Sequence, residues 1–108
     1  MKKADHQTKR EAIQDFQQII NIGPAFVRDF EDLGLESPIE LRGKDPWQLY
    51  VDLCVVKQQE QDPCVLDVLI ATVNYMDGKP PTPWWKVTAQ RKRKYGKQLA
   101  DRKAEAHA

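Results

Sequence analysis

The stretch Ile19-Ile20-Asn21-Ile22-Gly23-Pro24-Ala25-Phe26-Val27-Arg28-Asp29-Phe30, followed by Leu33-Gly34-Leu35, decides how this chain folds. Leading into it, Ile13, Phe16, Ile19 and Ile20 recur at helical spacing over residues 11–20. Asn21-Ile22-Gly23-Pro24 ends that run, because glycine and proline punctuate a periodic pattern. Proline suits a first helical turn, where its missing N–H costs nothing. Phe26, Val27, Phe30 and Leu33 then share one face until Gly34 offers a C-terminal cap. The expectation is two helices joined by a tight loop.

This string resembles the helix-hairpin-helix motif, in which a glycine hairpin between two helices presents backbone amides to a nucleic-acid phosphate. The physics is that of any helix N-terminus: orphan N–H groups and the positive end of the helix dipole favour an anion, and glycine lets the backbone come close. The resemblance implies that the amides of Asn21, Gly23, Ala25 and Phe26 are the donors, with Arg28 beside them. It also implies that the carbonyls of Gln17, Ile19 and Ile22 could hold the monovalent cation that often sits beneath such hairpins. Two positions depart from the motif. Asn21 stands where a first glycine is usual and Ala25 where lysine is common; asparagine tolerates the backbone angles required. Asp29, Glu31 and Asp32 on the second helix would face or flank an incoming phosphate. The competing reading makes the hairpin a compact joint between packed helices and nothing more.

Working outward, the same punctuation recurs. Ser37-Pro38-Ile39-Glu40 reads as a capping box opening a short third helix that stops before Gly43. Asp45-Pro46 opens a fourth helix carrying Trp47, Tyr50, Val51, Leu53 and Cys54. Asp62-Pro63 opens a fifth, from Pro63 to Met76, which is apolar on most sides and belongs in the middle of the bundle. Four of the seven prolines sit at helix starts and no run alternates with period two, so the fold class is all-α: a small five-helix bundle with a helix-hairpin-helix. A second, degenerate hairpin around Lys57 to Asp62 would make it a tandem. That loop contains Gln58, Gln59, Glu60 and Gln61 and no glycine, so it should not hold a phosphate closely. After Gly78 the segment Lys79-Pro80-Pro81-Thr82-Pro83-Trp84-Trp85 must be extended. Few apolar anchors follow, so residues 87–108 read as a basic tail, frayed or mobile, outside a domain spanning 11–86.

With 108 residues, 41% hydrophobic and 31% charged, the chain has room for one core and is not of disordered composition. No apolar run is long enough for a membrane span or a secretory signal, which points to the cytoplasm and against a membrane partner. The formal net charge of +1 hides a segregation. Residues 1–10 hold four basic side chains against one acidic, residues 86–108 eight against two, and residues 11–85 five against thirteen. A polyanion should therefore meet the ends first. In the tail, Lys86, Arg91, Lys92, Arg93 and Lys94 are the expected phosphate contacts.

Trp84-Trp85 beside Lys86 could be a base-stacking platform; an aromatic clasp sealing the bundle is the commoner use of such a pair. Cys54 and Cys64 bracket the second loop. A redox pair or shared metal site is one reading, but ordinary free thiols in a reducing compartment fit better. Asp45 and Asp62 are explained as N-caps, which leaves no carboxylate pair for acid–base work, and no nucleophile, base and oxyanion set can be assembled.

Beyond the hairpin, Ile22-Gly23-Pro24, Leu33-Gly34, Asp45-Pro46, Leu49-Tyr50, Leu53-Cys54, Asp62-Pro63-Cys64-Val65-Leu66 and Trp84-Trp85 occur in that order. Together they resemble the small bacterial pathogenicity locus family of helix-hairpin-helix proteins, some of whose members are labelled mitomycin resistance proteins. The resemblance implies a nucleic-acid-binding module without established chemistry. The functional expectation is a non-enzymatic, sequence-independent DNA- or RNA-binding module that needs no cofactor. Its alternative is a protein-interaction module whose acidic helical surface docks a partner.

Overall fold

A computed structural model describes residues 15–106. Four α-helices lie among them, α1 (Pro24–Asp32), α2 (Pro46–Val56), α3 (Pro63–Met76) and α4 (Thr88–Ala106), with 3-10 turns at Phe16–Gln18, Pro38–Leu41 and Trp84–Lys86. No strand occurs among the described residues. The chain is all-α.

Local chemistry sets the helix ends. The first three helices begin with proline at their first position. Asp45 accepts from the Trp47 amide and Asp62 from the Cys64 amide, both at 3.0 Å, and each such cap stabilises its helix by about 1 kcal/mol. Gly34, at φ 82°, closes α1: the Leu35 amide reaches back to the Phe30 carbonyl and the Gly34 amide to that of Glu31. Gln58 closes α2 in the same way with φ 53°, and the Gln59 amide donates to the Cys54 carbonyl.

Three sequence expectations are corrected. The periodic run over 11–20 is not a helix reaching residue 20: Asp15 caps a single 3-10 turn through the Gln17 amide, Gln18 bonds back to the Asp15 amide, and Ile19 is already extended. Residues 11–14 of that run lie outside the described residues. The capping box at Ser37 forms, with Glu40 accepting from the Ser37 amide at 2.7 Å, but it supports a four-residue 3-10 turn, not an α-helix. The bundle thus has four α-helices among the described residues instead of five.

The largest correction is at the C-terminal end. Residues 88–106 form one regular helix that docks on the bundle through Val87, Tyr95 and Leu99, all buried. Residues 88–106 of the expected frayed or mobile tail thus form a helix whose inner face joins the core. Arg91 shares that helical face and reaches Asp67 on α3, with Nε to Oδ1 at 2.8 Å, while the Thr88 hydroxyl donates to the other carboxylate oxygen at 2.7 Å. Farther along, Arg102 pairs with Glu60 and lies 6.0 Å from the centre of the Trp47 ring. Trp47 itself stacks on Tyr95, with centroids 5.5 Å apart and planes 10° from parallel. α2, α3 and α4 are thus joined by polar ties as well as apolar contact.

As its sequence implies, α3 is the central element: Leu66, Leu69, Ile70, Val73 and Met76 are buried. The Thr72 hydroxyl is satisfied by the Val68 carbonyl at 2.7 Å. Phe30 of α1 meets Phe16 at 4.7 Å and Phe26 at 5.9 Å, which anchors the start of α1 and the 3-10 turn before it to the core.

Candidate functional site

The loop between Ile19 and Pro24 is built around one unusual residue. Asn21 has φ 78°, the left-handed region that asparagine tolerates better than most. Its side chain is engaged at both ends. The amide nitrogen donates to the Thr82 carbonyl at 2.9 Å and the side-chain oxygen accepts from the Trp84 amide at 3.2 Å. A glycine could make the turn but not this tie to the proline-rich strap, residues 79–85, which is a physical reason for asparagine at this position.

The backbone donors of this loop and of the start of α1 have no protein acceptor among the described residues. The amides of Asn21, Gly23, Ala25 and Phe26 donate to no acceptor among the described residues; the first α1 amide to do so is that of Val27, to the Gly23 carbonyl at 3.1 Å. Gly23 and Ala25 are exposed. A Cβ added to Gly23 would meet nothing within 4 Å, so this surface is open. Among the carbonyls expected to hold a cation, that of Ile19 already accepts from the Ile22 amide at 3.2 Å, while those of Gln17 and Ile22 accept from no backbone amide among the described residues.

The electrostatics differ from the sequence reading. Asp29, expected to confront an incoming phosphate, is buried and paired with Lys57 at 3.0 Å. Glu31 and Asp32 are exposed, but they lie about 10 Å along the helix from Pro24 at 1.5 Å per residue. That exceeds the Debye length at physiological salt. Arg28 is exposed on α1. Sequence reasoning does not find the Asp29–Lys57 pair, because the partners are 28 residues apart.

On α4 the cations divide. The Arg91 side chain is only 12% exposed and held by Asp67, so it leaves the set of phosphate contacts expected from sequence. Arg102 is engaged by Glu60, whose hydrogen bond raises its pKa further. Lys92, Arg93, Lys94, Lys97 and Lys103 are exposed, as is Lys86 on the preceding turn. Arg93 and Lys97 stand half a turn from Arg91, Tyr95 and Leu99, on the face turned away from the core.

Trp84 and Trp85 do not form a buried clasp. They remain 36% and 61% exposed and meet each other edge to face at 5.9 Å. Both cysteines are free thiols. Cys54 is buried and accepts from the Gln61 amide at 3.4 Å. Partial burial, and then the hydrogen bond to Asp62, push the Cys64 thiol up, away from a reactive thiolate. The Tyr50 hydroxyl is pushed up by burial first and then by Cys54 and Glu60; it donates to the Gln61 carbonyl. Among the described residues no group of three or more His, Cys, Asp or Glu gathers as a metal site, and no helix is long and apolar enough to cross a membrane.

Residues 9–93 match the pathogenicity locus family. The chain belongs to that family. It is also 37% identical over 79 residues to the mitomycin resistance protein McrB of Streptomyces lavendulae, covering 73% of this chain and 75% of the relative. No solved structure matches it. The family match includes the loop from Ile19 to Pro24, the proline-rich segment 79–85 and the start of α4 up to Arg93.

Proposed function

We propose that this pathogenicity locus protein is a non-enzymatic module that binds nucleic acid, DNA in the first instance, through its backbone and without reading sequence. The segment from Ile19 to Phe30 would act as a helix-hairpin-helix. The observation that carries this reading is the set of amides without a protein acceptor at Asn21, Gly23, Ala25 and Phe26, at a helix N-terminus whose nearest carboxylate on α1, Asp29, is matched by Lys57. Lys86 and the exposed α4 cations Lys92, Arg93 and Lys94 extend the positive surface. The carbonyls of Gln17, Ile19 and Ile22 are the candidate ligands of a monovalent cation beneath the loop. The name of the Streptomyces lavendulae relative suggests a resistance role, a level of description that leaves the chemistry to be read from the site.

Titration of the full chain with duplex and single-stranded DNA across salt tests the proposal. Gly23→Val has space within the protein, so it should keep the fold while a branched side chain blocks close backbone approach; affinity should fall. Changing Lys92, Arg93 and Lys94 to glutamine should flatten the slope of log K against log salt by about 0.9 for each lost duplex-phosphate contact. No binding by the full chain at about 50 mM salt ends the reading, since screening is weak there.

A second reading is supported by one observation. Asp32, Leu33, Asp52, Val55 and Val56 line a groove of about 300 Å³, and Val55 is 69% exposed. An acid-rimmed apolar groove suits a protein partner. A protein that co-purifies with the wild type and is lost with Val55→Asp, while DNA affinity is absent from both, would favour this reading.

A further inference from the structure

We infer that Trp84 and Trp85 form a stacking platform for unpaired bases, so that the nucleic acid this chain prefers is single-stranded. The inference rests on the nucleic-acid reading above and names the class of strand bound. Trp47 shows what a structural tryptophan looks like in this fold: it lies against Tyr50 and Tyr95, with centroids at 5.7 Å and 5.5 Å, and is partly buried. Trp84 and Trp85 are different. Their planes stand 84° apart, an edge-to-face arrangement that covers at most one face of one ring. Trp85 is 61% exposed and the adjoining Trp84 36%, and apolar surface held together in this way marks an interaction site.

The strap is also held still from both sides. Upstream, Asn21 grips the Thr82 carbonyl and the Trp84 amide. Downstream, Val87 is buried, and Thr88 and Arg91 bind the buried carboxylate of Asp67. A base settling on the rings therefore meets a preformed surface and does not have to order a loop. The chemistry beside the rings is that of a nucleic-acid backbone. Lys86 is exposed on the same 3-10 turn. The Asn21 tie brings the strap against the loop carrying the amides without a protein acceptor, with the Gly23 Cα at most about 7.6 Å from that of Asn21 across two peptide units. A strand can thus lay a phosphate on the amides and a base on the rings. In a duplex the base faces are already stacked and must be extruded at a cost, so the platform favours single strands.

The test uses the full chain with fluorescently labelled 15-mers of dT and rU and a duplex of equal length, read by anisotropy and by quenching of tryptophan emission. Trp85→Ala should weaken dT binding roughly 5- to 150-fold, the range for loss of one stacked base, and leave duplex binding within about twofold. Trp85→Phe should retain most of the affinity. The melting temperature of Trp85→Ala, which removes a mostly exposed ring, confirms that the fold is intact. Loss on rU alone would identify RNA as the source of the strand. Equal loss on single strand and duplex, or no loss on either while the wild type binds both, overturns the platform and leaves backbone binding standing. If the wild type binds none of the three probes, platform and backbone binding fall together.

Discussion

Replacing Asp67 should detach α4. Among the described residues Asp67 is the one fully buried acid, and its two oxygens accept from Thr88 and Arg91. The side chains of Arg91 and Asp67 are 12% and 1% exposed, so the pair is screened little by water. Removing one member of such a pair leaves a buried charge without a partner, which costs about 3–5 kcal/mol. The asparagine amide can still donate to the Thr88 hydroxyl, so the loss falls on the ion pair with Arg91. A domain of this size is stable by roughly 5–15 kcal/mol, and each kilocalorie shifts its melting temperature by about 4–8 °C. Asp67→Asn should therefore lower the midpoint by at least about 12 °C, taking the low end of both ranges. A double-mutant cycle with Arg91→Met, followed by urea unfolding at about 222 nm, where helix content is read, isolates the pair itself. Its coupling should be about 2 kcal/mol or more, near the upper range for contacting residues. Emission from Trp47, stacked on Tyr95 of α4, reports whether the helix leaves before the rest unfolds. Coupling below about 0.5 kcal/mol, the floor for residues in contact, would refute the assignment of Asp67 as the anchor of α4.

Gly96 lies within α4, where a Cβ would meet nothing within 4 Å, so Gly96→Ala should stabilise the protein by about 0.5–1 kcal/mol in thermal or urea melts. Gln58 carries the left-handed penalty at the end of α2 with φ 53°, and Gln58→Gly should raise stability by up to about 1 kcal/mol. The Cys64 amide, through its backbone hydrogen bond, holds the Asp62 carboxyl below its ordinary 3.8. A lowered folded-state pKa adds stability that is full above the unfolded value and disappears as pH falls through the folded one. Asp62→Ala should accordingly cost about 1 kcal/mol at neutral pH, and the difference from wild type in urea melts should shrink below pH 3.8.

What can be read from the sequence follows from how locally each feature is determined. Pro24, Pro46 and Pro63 mark the three helix starts, and Asp45, Asp62 and Gly34 act as caps within a few residues of where they stand. The apolar run of α3 likewise announces a central helix. α4 is hidden from such a reading because Arg91 occupies one turn of its buried row, between Val87 and Tyr95, and is acceptable there only because Asp67 stands 24 residues earlier. The available signal is a lone acid in an otherwise apolar helix, together with an arginine at four-residue spacing from Val87 and Tyr95. At the site, the loop donors are legible from Gly23-Pro24, but the Asp29–Lys57 pair and the Asn21 tie to the strap are not, since both join segments far apart in the chain. Trp84 and Trp85 escape for the same reason: size and proline-rich flanks argue for burial, whereas polar ties from Asn21 and Asp67 fix the strap with Trp85 mostly exposed and Trp84 partly so.

The Asn21 tie also sets an order of events during synthesis. Its two partners, Thr82 and Trp84, lie 61 and 63 residues farther along the chain. At about 5–20 residues per second, a ribosome takes roughly 3–12 s to reach them after adding Asn21. Throughout that interval the amide of the nascent asparagine must be satisfied by water, and its left-handed backbone is held by the local turn alone. The loop is thus made well before its lock, which closes only when the strap arrives.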